Sequence, residues 1–201
     1  MISKNIITIL LSITTVLFLS LSLFFLNEKT RIESRNRQLS EQIVTMSVKE
    51  FSFDLNKTMT GKKALDILRV TQNGDERYLS DLMNGSPILI YRYTQVGGCR
   101  PCYEAQIRLI REIFKDTPQR VVILASYQNI REFLFSARTI ATEIPMFHIS
   151  ANAFNWQFEQ FNIPYFFVLH PCMRISNILV PNEHHPELTR RYLKSIKRLL
   201  Q

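Results

Sequence analysis

From Asn5 to Leu26 the chain carries no charged residue and is rich in Leu, Ile and Phe. At helical rise such a run reaches about 33 Å, against about 30 Å for a hydrocarbon core. The pattern predicts one N-terminal transmembrane helix, 5–26, behind a short tail, 1–4. A cleaved signal peptide would have an apolar stretch of about 7–15 residues and a small-x-small site beyond it. Here Ser20-Leu21-Ser22 lies inside the run and no cysteine near its end could accept lipid, so the helix reads as an uncleaved anchor. Residues 27–47 are polar and lack Gly and Pro. Ile32, Asn36, Leu39, Ile43 and Met46 fall at alternating spacings of four and three, which predicts a helical stem too short to establish a coiled coil.

The remaining residues, 48–201, read as one domain. Phe51, Phe53 and Leu55 alternate with polar residues and predict a half-buried strand. A second strand ends near Val70, and Gln72-Asn73-Gly74-Asp75 supplies a turn. Pro87 to Tyr93 reads as a buried strand. Tyr103, Ile107, Ile110 and Phe114 form one stripe of a helix that stops before Pro118. Val121–Ala125 is a continuous apolar strand of the kind buried in a parallel sheet. Ile130, Phe133, Leu134, Ala137 and Ile140 mark a further helix, Pro145–Ile149 a short strand, and Phe154, Phe158 and Phe161 a short helix. Tyr165–Leu169 and Arg174–Val180 flank His170-Pro171-Cys172-Met173, as a hairpin would. A basic amphipathic helix ends the chain. This alternation predicts an α/β sandwich around a mixed sheet.

Composition changes the picture in two places. Residues 186–201 supply half of the net charge of +8, on a helix whose basic face reads as solvated. No basic face interleaved with aromatics and no binding motif supports a nucleic-acid partner. The other is cysteine. Cys99-Arg100-Pro101-Cys102 follows the buried strand and opens a helix. Two cysteines so spaced on a first helical turn can both close a disulfide and lower one thiol's pKa. Half of a zinc site has the same spelling, but no second Cys-x-x-Cys or ligand-spaced histidine pair accompanies it, so a redox dithiol is favoured and no resident metal or cofactor is expected. Cys172, in the hairpin turn, reads as an isolated exposed thiol, and His184 and His185 as surface residues.

The order strand, Cys-x-Pro-Cys, helix, strand, helix, then Ile163-Pro164 before a strand and hairpin, resembles the thioredoxin fold. With the N-terminal anchor and the stretch Asn73 to Leu82, it resembles membrane-anchored TlpA-like thiol-disulfide oxidoreductases. The resemblance implies a thioredoxin-like domain, a protein disulfide substrate and a membrane thiol-relay electron donor. It also implies that Pro164 is cis and faces the dithiol, with the bond after Ile163 lining the substrate groove. The chain departs from thioredoxins in three places: Gly98 stands where Trp is usual, Tyr93 lies near the place of a buried acid, and Glu104 is one position out of register with a glutamate found in tethered relatives. The peroxiredoxin pattern Pro-x-x-x-Thr-x-x-Cys is absent.

Thiol chemistry assigns the roles. Cys99, at the helix N-terminus, is favoured as thiolate by unpaired N–H groups and the helix dipole, and Arg100 adds positive charge. Cys99 is therefore the expected nucleophile and Cys102 the resolving thiol. Pro101 removes an N–H where helix starts leave donors unpaired, and Glu104 is the candidate proton acceptor for Cys102. The expected activity is reduction of disulfides in exported proteins, in an inner-membrane, single-pass protein with its domain on the periplasmic side. The alternatives are a redox-inert partner-binding module and a copper chaperone using both motif cysteines.

Overall fold

The computed structural model describes residues 2–64, 69–72, 75–96, 99–141, 143–183 and 185–201; inside these, the side chains of 2–13, 16, 69–72 and 141 are outside the description. Two units emerge, one up to Val44 and one from Thr45 to Gln201. Helix α1, Ile2–Met59, supplies all of the first and the start of the second. Among the described residues no helix is long and apolar enough to cross a membrane. The expected anchor falls partly outside this finding, since the side chains of 5–13 and 16 are not described. In its described part Leu17, Phe18, Leu19, Leu23 and Phe24 are exposed, as are Ile32, Leu39, Ile43 and Met46 of the helical stem.

The second unit is built on β3, Ile88–Thr94, whose residues are all buried. Around it lie β1 (Arg69–Gln72), β2 (Asp75–Tyr78), β4 (Val121–Ser126), β5 (Met146–His148), β6 (Tyr165–Leu169) and β7 (Ile175–Leu179), in the order β2-β1-β5-β4-β3-β6-β7. β3 runs parallel to β4 and antiparallel to β6, and β4 runs parallel to β5, so the sheet is mixed as the sequence pattern requires. Helix α2 (Arg100–Phe114) makes the crossover from β3 to β4. Helix α3 (Ile130–Ser136) follows β4 and continues as a wider turn, Ala137–Ala141. Helix α4 (Pro186–Leu199) closes the chain.

Because β3 and its neighbours are covered on both sides, their sequences run apolar without alternation. Ile88 and Ile90 pack into one core with Leu55, Met59, Phe147, Phe154 and Phe167; Leu89, Tyr91 and Tyr93 pack into the other with Ile107, Ile110, Phe133, Leu193 and Ile196. The period-two geometry of a strand divides them.

The strand expected at 51–55 does not form. Those residues belong to α1, and Phe53 is 68% exposed. Ser52, Leu55 and Met59 are buried, at the three-to-four spacing of a helix face. That face covers the outer edge of β7. Ser52 Oγ accepts from Val180 N at 3.1 Å, and Asn56 Oδ1 accepts from Ile178 N at 3.1 Å. Below them Gly61 N donates to Ile175 O and Ile175 N to Lys62 O. An edge that would otherwise offer free N–H groups is thus occupied. Where a turn is expected at 72–75, β1 pairs with an unexpected strand, β2, with Gln72 opposite Asp75; Asn73 and Gly74 lie outside the described residues.

Candidate active site

β3 leads into the dithiol. Gly97 and Gly98, expected in the loop before it, lie outside the described residues. Cys99 occupies the N-cap of α2 with an extended backbone (φ −71°, ψ 109°), and its carbonyl accepts from Cys102 N at 3.0 Å and Tyr103 N at 3.2 Å. Pro101 stands in the first turn, where a missing N–H costs nothing. Cys99 and Cys102 are joined by a disulfide with their Cα atoms 5.2 Å apart. Cys99 is exposed and Cys102 half-buried, the asymmetry expected of an attacking and a resolving thiol. Cys172 is a free, exposed cysteine.

Charge around the pair is arranged differently from expectation. Arg100 Nε donates to Glu104 Oε1 at 2.7 Å, and Arg108 approaches the other oxygen of Glu104 at 3.8 Å. Glu104 is therefore engaged with two arginines along its own helix. The carboxylate against Cys102 is that of Glu183, whose Oε2 lies 2.7 Å from Sγ.

Glu183 reaches the dithiol because α4 lies along α2 in the same sense. In chain direction, Cys102 meets Glu183, Glu112 meets Arg190, and Ile113 O with Asp116 meets Lys197. The loop ahead of α4 consequently arrives at the start of α2. It is fixed on either side of Glu183: Val180 N is held by Ser52, Asn182 is buried, and His185 N donates to Asn182 O. His185 also faces Glu187 at 3.2 Å; His184 lies outside the described residues. Sequence reasoning missed Glu183, because a loop acid 81 positions from Cys102 carries no local signal of the contact.

Tyr93, expected near the place of a buried acid, joins a cluster of aromatic hydroxyls in the core. Tyr93 stacks on Tyr103 with ring centroids 4.5 Å apart, and its hydroxyl lies 2.8 Å from that of Tyr127. Burial pushes the Tyr93 hydroxyl far above its ordinary range and that of Tyr103 to about 12, with Tyr127 adding to both. Neither phenol ionises at neutral pH, so this layer supplies packing and hydrogen bonds without charge.

The Ile163–Pro164 bond is trans, against the expectation of a cis bond. The chain reverses instead at Asn162, whose left-handed conformation (φ 54°) suits an asparagine and lets the ordinary trans proline enter β6. Ile163 nonetheless lines a small recess with Arg92, Tyr93, Thr94, Glu159, Asn162 and Tyr165. The β3–β6 pairing ends with Arg92 opposite Tyr165, and Ile163 shares the recess with Thr94 at the end of β3. On the other side, Gln95, Arg100, Tyr103, Arg131 and Phe135 line an open groove.

Cys99, Cys102 and Glu183 each bring one donor atom within 4.8 Å of the others, a sulfur–sulfur–oxygen set that becomes available for a metal only when the disulfide is reduced.

No family model and no curated protein matches the sequence. Solved structures do. The thioredoxin domain of a thiol-disulfide oxidoreductase from Bacteroides vulgatus superposes with a TM-score of 0.53 at 11% identity, over 71% of this chain and 98% of that one. A candidate thiol:disulfide interchange protein DsbE from Chlorobium tepidum gives 0.54 at 14%, over 71% and 98%. The peroxidoxin BcpB from Mycobacterium tuberculosis gives 0.54 at 15%, over 71% and 99%. At such identities the likeness shows the fold alone, an α/β, thioredoxin-like domain, to which this chain adds its own Cys-x-x-Cys disulfide.

Proposed function

We propose that this chain is a membrane-tethered thiol–disulfide oxidoreductase that reduces disulfides of exported proteins. The observation that carries the reading is the Cys99–Cys102 disulfide at the N-terminus of α2 in a thioredoxin-like fold, with Cys99 exposed and Cys102 half-buried. In the reduced protein the Cys99 thiolate attacks one sulfur of the substrate disulfide. That S–S bond breaks and the departing substrate sulfur leaves as a thiolate that takes a proton from water. Cys102 then attacks Cys99 Sγ, releasing the second substrate sulfur and closing the Cys99–Cys102 disulfide. Two electrons pass to the substrate, and a dithiol donor, expected to be a membrane thiol-relay protein, restores them. Ile163 and Pro164, which lead into β6, are assigned to the substrate groove on the resemblance to thioredoxins.

Peroxidase chemistry, which the name of the Mycobacterium tuberculosis neighbour carries, is less well supported: Thr94 lies five positions before Cys99 and the peroxidatic pattern is missing. Metal carriage is the second reading, and the sulfur–sulfur–oxygen set is the observation in its favour.

Tethering rests on the uncharged run Asn5–Leu26 and on the exposure of the apolar side chains described within it. A domain of this chemistry is most useful where disulfides persist, which favours the extracytoplasmic side.

The test uses the full chain in detergent. The wild type should reduce a model disulfide. Cys102→Ser should accumulate a mixed disulfide through Cys99, and Cys99→Ser should trap nothing. The reading fails if no disulfide is reduced and both thiols titrate like free cysteine, near pH 8.5.

A further inference from the structure

Cys99 is served by the start of α2, but Cys102 has no comparable help from the helix. Its amide already donates to Cys99 O, and its sulfur is one turn further in. A thiol with an ordinary pKa near 8.5 is only a few per cent ionised at neutral pH. To attack the mixed disulfide, Cys102 must first lose its proton.

We propose that Glu183 is the group that takes it. Glu183 Oε2 stands 2.7 Å from Cys102 Sγ, within reach for direct proton transfer. The rival acid, Glu104, is held by Arg100 and Arg108. The position of Glu183 is built rather than incidental: Ser52 pins Val180, Asn182 is buried, and α4 aligns with α2 through Arg190–Glu112 and Lys197–Asp116.

The contact serves the reduced protein. A disulfide sulfur has no proton to give, so Cys102 can donate to Glu183 only once the disulfide is opened. During resolution the thiol proton moves to Glu183 Oε2, the Cys102 sulfur bonds to Cys99 Sγ, and the bond from Cys99 to the substrate sulfur breaks. The substrate thiolate is protonated by water. When the dithiol donor reopens the disulfide, Cys102 leaves and takes the proton back from Glu183. The carboxyl is a base in one half-reaction and an acid in the other, as microscopic reversibility demands.

This inference rests on the oxidoreductase reading, and the experiment separates the two. In the full chain, a mixed disulfide between Cys99 and a fluorescent thiol is formed and its resolution timed against pH. Glu183→Gln should slow resolution by about 10²-fold at neutral pH, within the usual range for loss of a proton-transfer group. Its rate should then climb about tenfold per pH unit toward the thiol range, while the wild type is flat there. Glu183→Asp should recover part of the rate. In a Cys102→Ser background, Glu183→Gln should alter the first attack by Cys99 far less than it slows resolution. Equal resolution rates and pH profiles for wild type and Glu183→Gln would overturn the proposal and leave the enzyme reading standing. A wild type and a Cys102→Ser variant that both fail to exchange with any disulfide would overturn both.

Discussion

Arg92 Nε lies 3.2 Å from Glu159 Oε1, and both side chains are almost fully withdrawn from solvent. Arg92 sits in the middle of an otherwise uncharged strand, and its guanidinium also donates to Tyr93 O, Ser150 O and Ala151 O. Glu159 accepts in addition from Phe154 N and Tyr165 OH. Burial pushes the Glu159 carboxyl upward, and Arg92, Tyr165 and the Phe154 amide pull it back. The pair ties the segment from Ser150 to Phe161 onto the end of β3, beside the recess that Ile163 lines. Removing one partner strands the other charge, so Arg92→Met or Glu159→Leu alone should each destabilise the domain by about 3–5 kcal/mol in urea unfolding. The double variant should recover much of that loss.

The edge of β7 offers a second measure of how α1 serves the domain. Ser52→Ala and Asn56→Ala each remove the acceptor for one β7-side amide. Each should cost about 1 kcal/mol and speed exchange of the Val180 or Ile178 amide roughly fivefold. Because Val180 opens the loop that carries Glu183, Ser52→Ala should also slow resolution of a mixed disulfide, and Asn56→Ala should do so less.

Much of this architecture was legible in the sequence, for identifiable reasons. β3, β4 and β6 are short apolar runs bounded by turn residues, and Cys99-Arg100-Pro101-Cys102 fixes the start of α2 by chemistry as well as by pattern. Residues 51–55 misled because five positions satisfy two periods at once. Phe51, Phe53 and Leu55 alternate, yet Ser52, Leu55, Asn56 and Met59 share the helical face that binds β7. Arg92 lies within a run read only as a buried strand, and its partner is 67 positions away. Glu183 and the trans proline depend on where loops return, which spacing along the chain does not encode.

Acid should loosen the junction of α2 and α4. Arg190 holds the Glu112 carboxyl below its ordinary 4.5, by a direct hydrogen bond first and by charge second. A depressed carboxylate stabilises the fold at pH above its unfolded-state value, and that contribution is lost as pH falls through the folded-state value. Stability should therefore decline below about pH 4.5 more steeply in the wild type than in Glu112→Gln, as followed by denaturant midpoints.

Ile163 is partly exposed and shares a recess with Thr94 at the end of β3. If it forms part of the surface a polypeptide substrate covers, Ile163→Asp should lower trapping of protein substrates by Cys102→Ser roughly tenfold, or about 1.4 kcal/mol. Reaction with a small disulfide, which has no flanking chain, should stay unchanged. Equal losses with both would assign Ile163 to packing alone.

Membrane orientation sets two arguments against each other. Lys29, Arg31, Arg35 and Arg37 follow the apolar run, while Lys4 and the amino terminus precede it, so a basic-residue count alone would hold the domain in the cytoplasm. Glu28 and Glu33 do not offset this, because acidic residues contribute little to that rule. Long domains, however, translocate largely regardless of flanking charge, and the persistent disulfides proposed as substrates are found in oxidising compartments. Cys172 decides between them, being free, exposed and part of the same unit as the dithiol. In a Cys99→Ser, Cys102→Ser chain it is the one thiol left. A membrane-impermeant maleimide should label it in intact spheroplasts as fully as after lysis. Labelling only after lysis would place the domain inside, where thiols are kept reduced and the exported-protein reading would no longer hold.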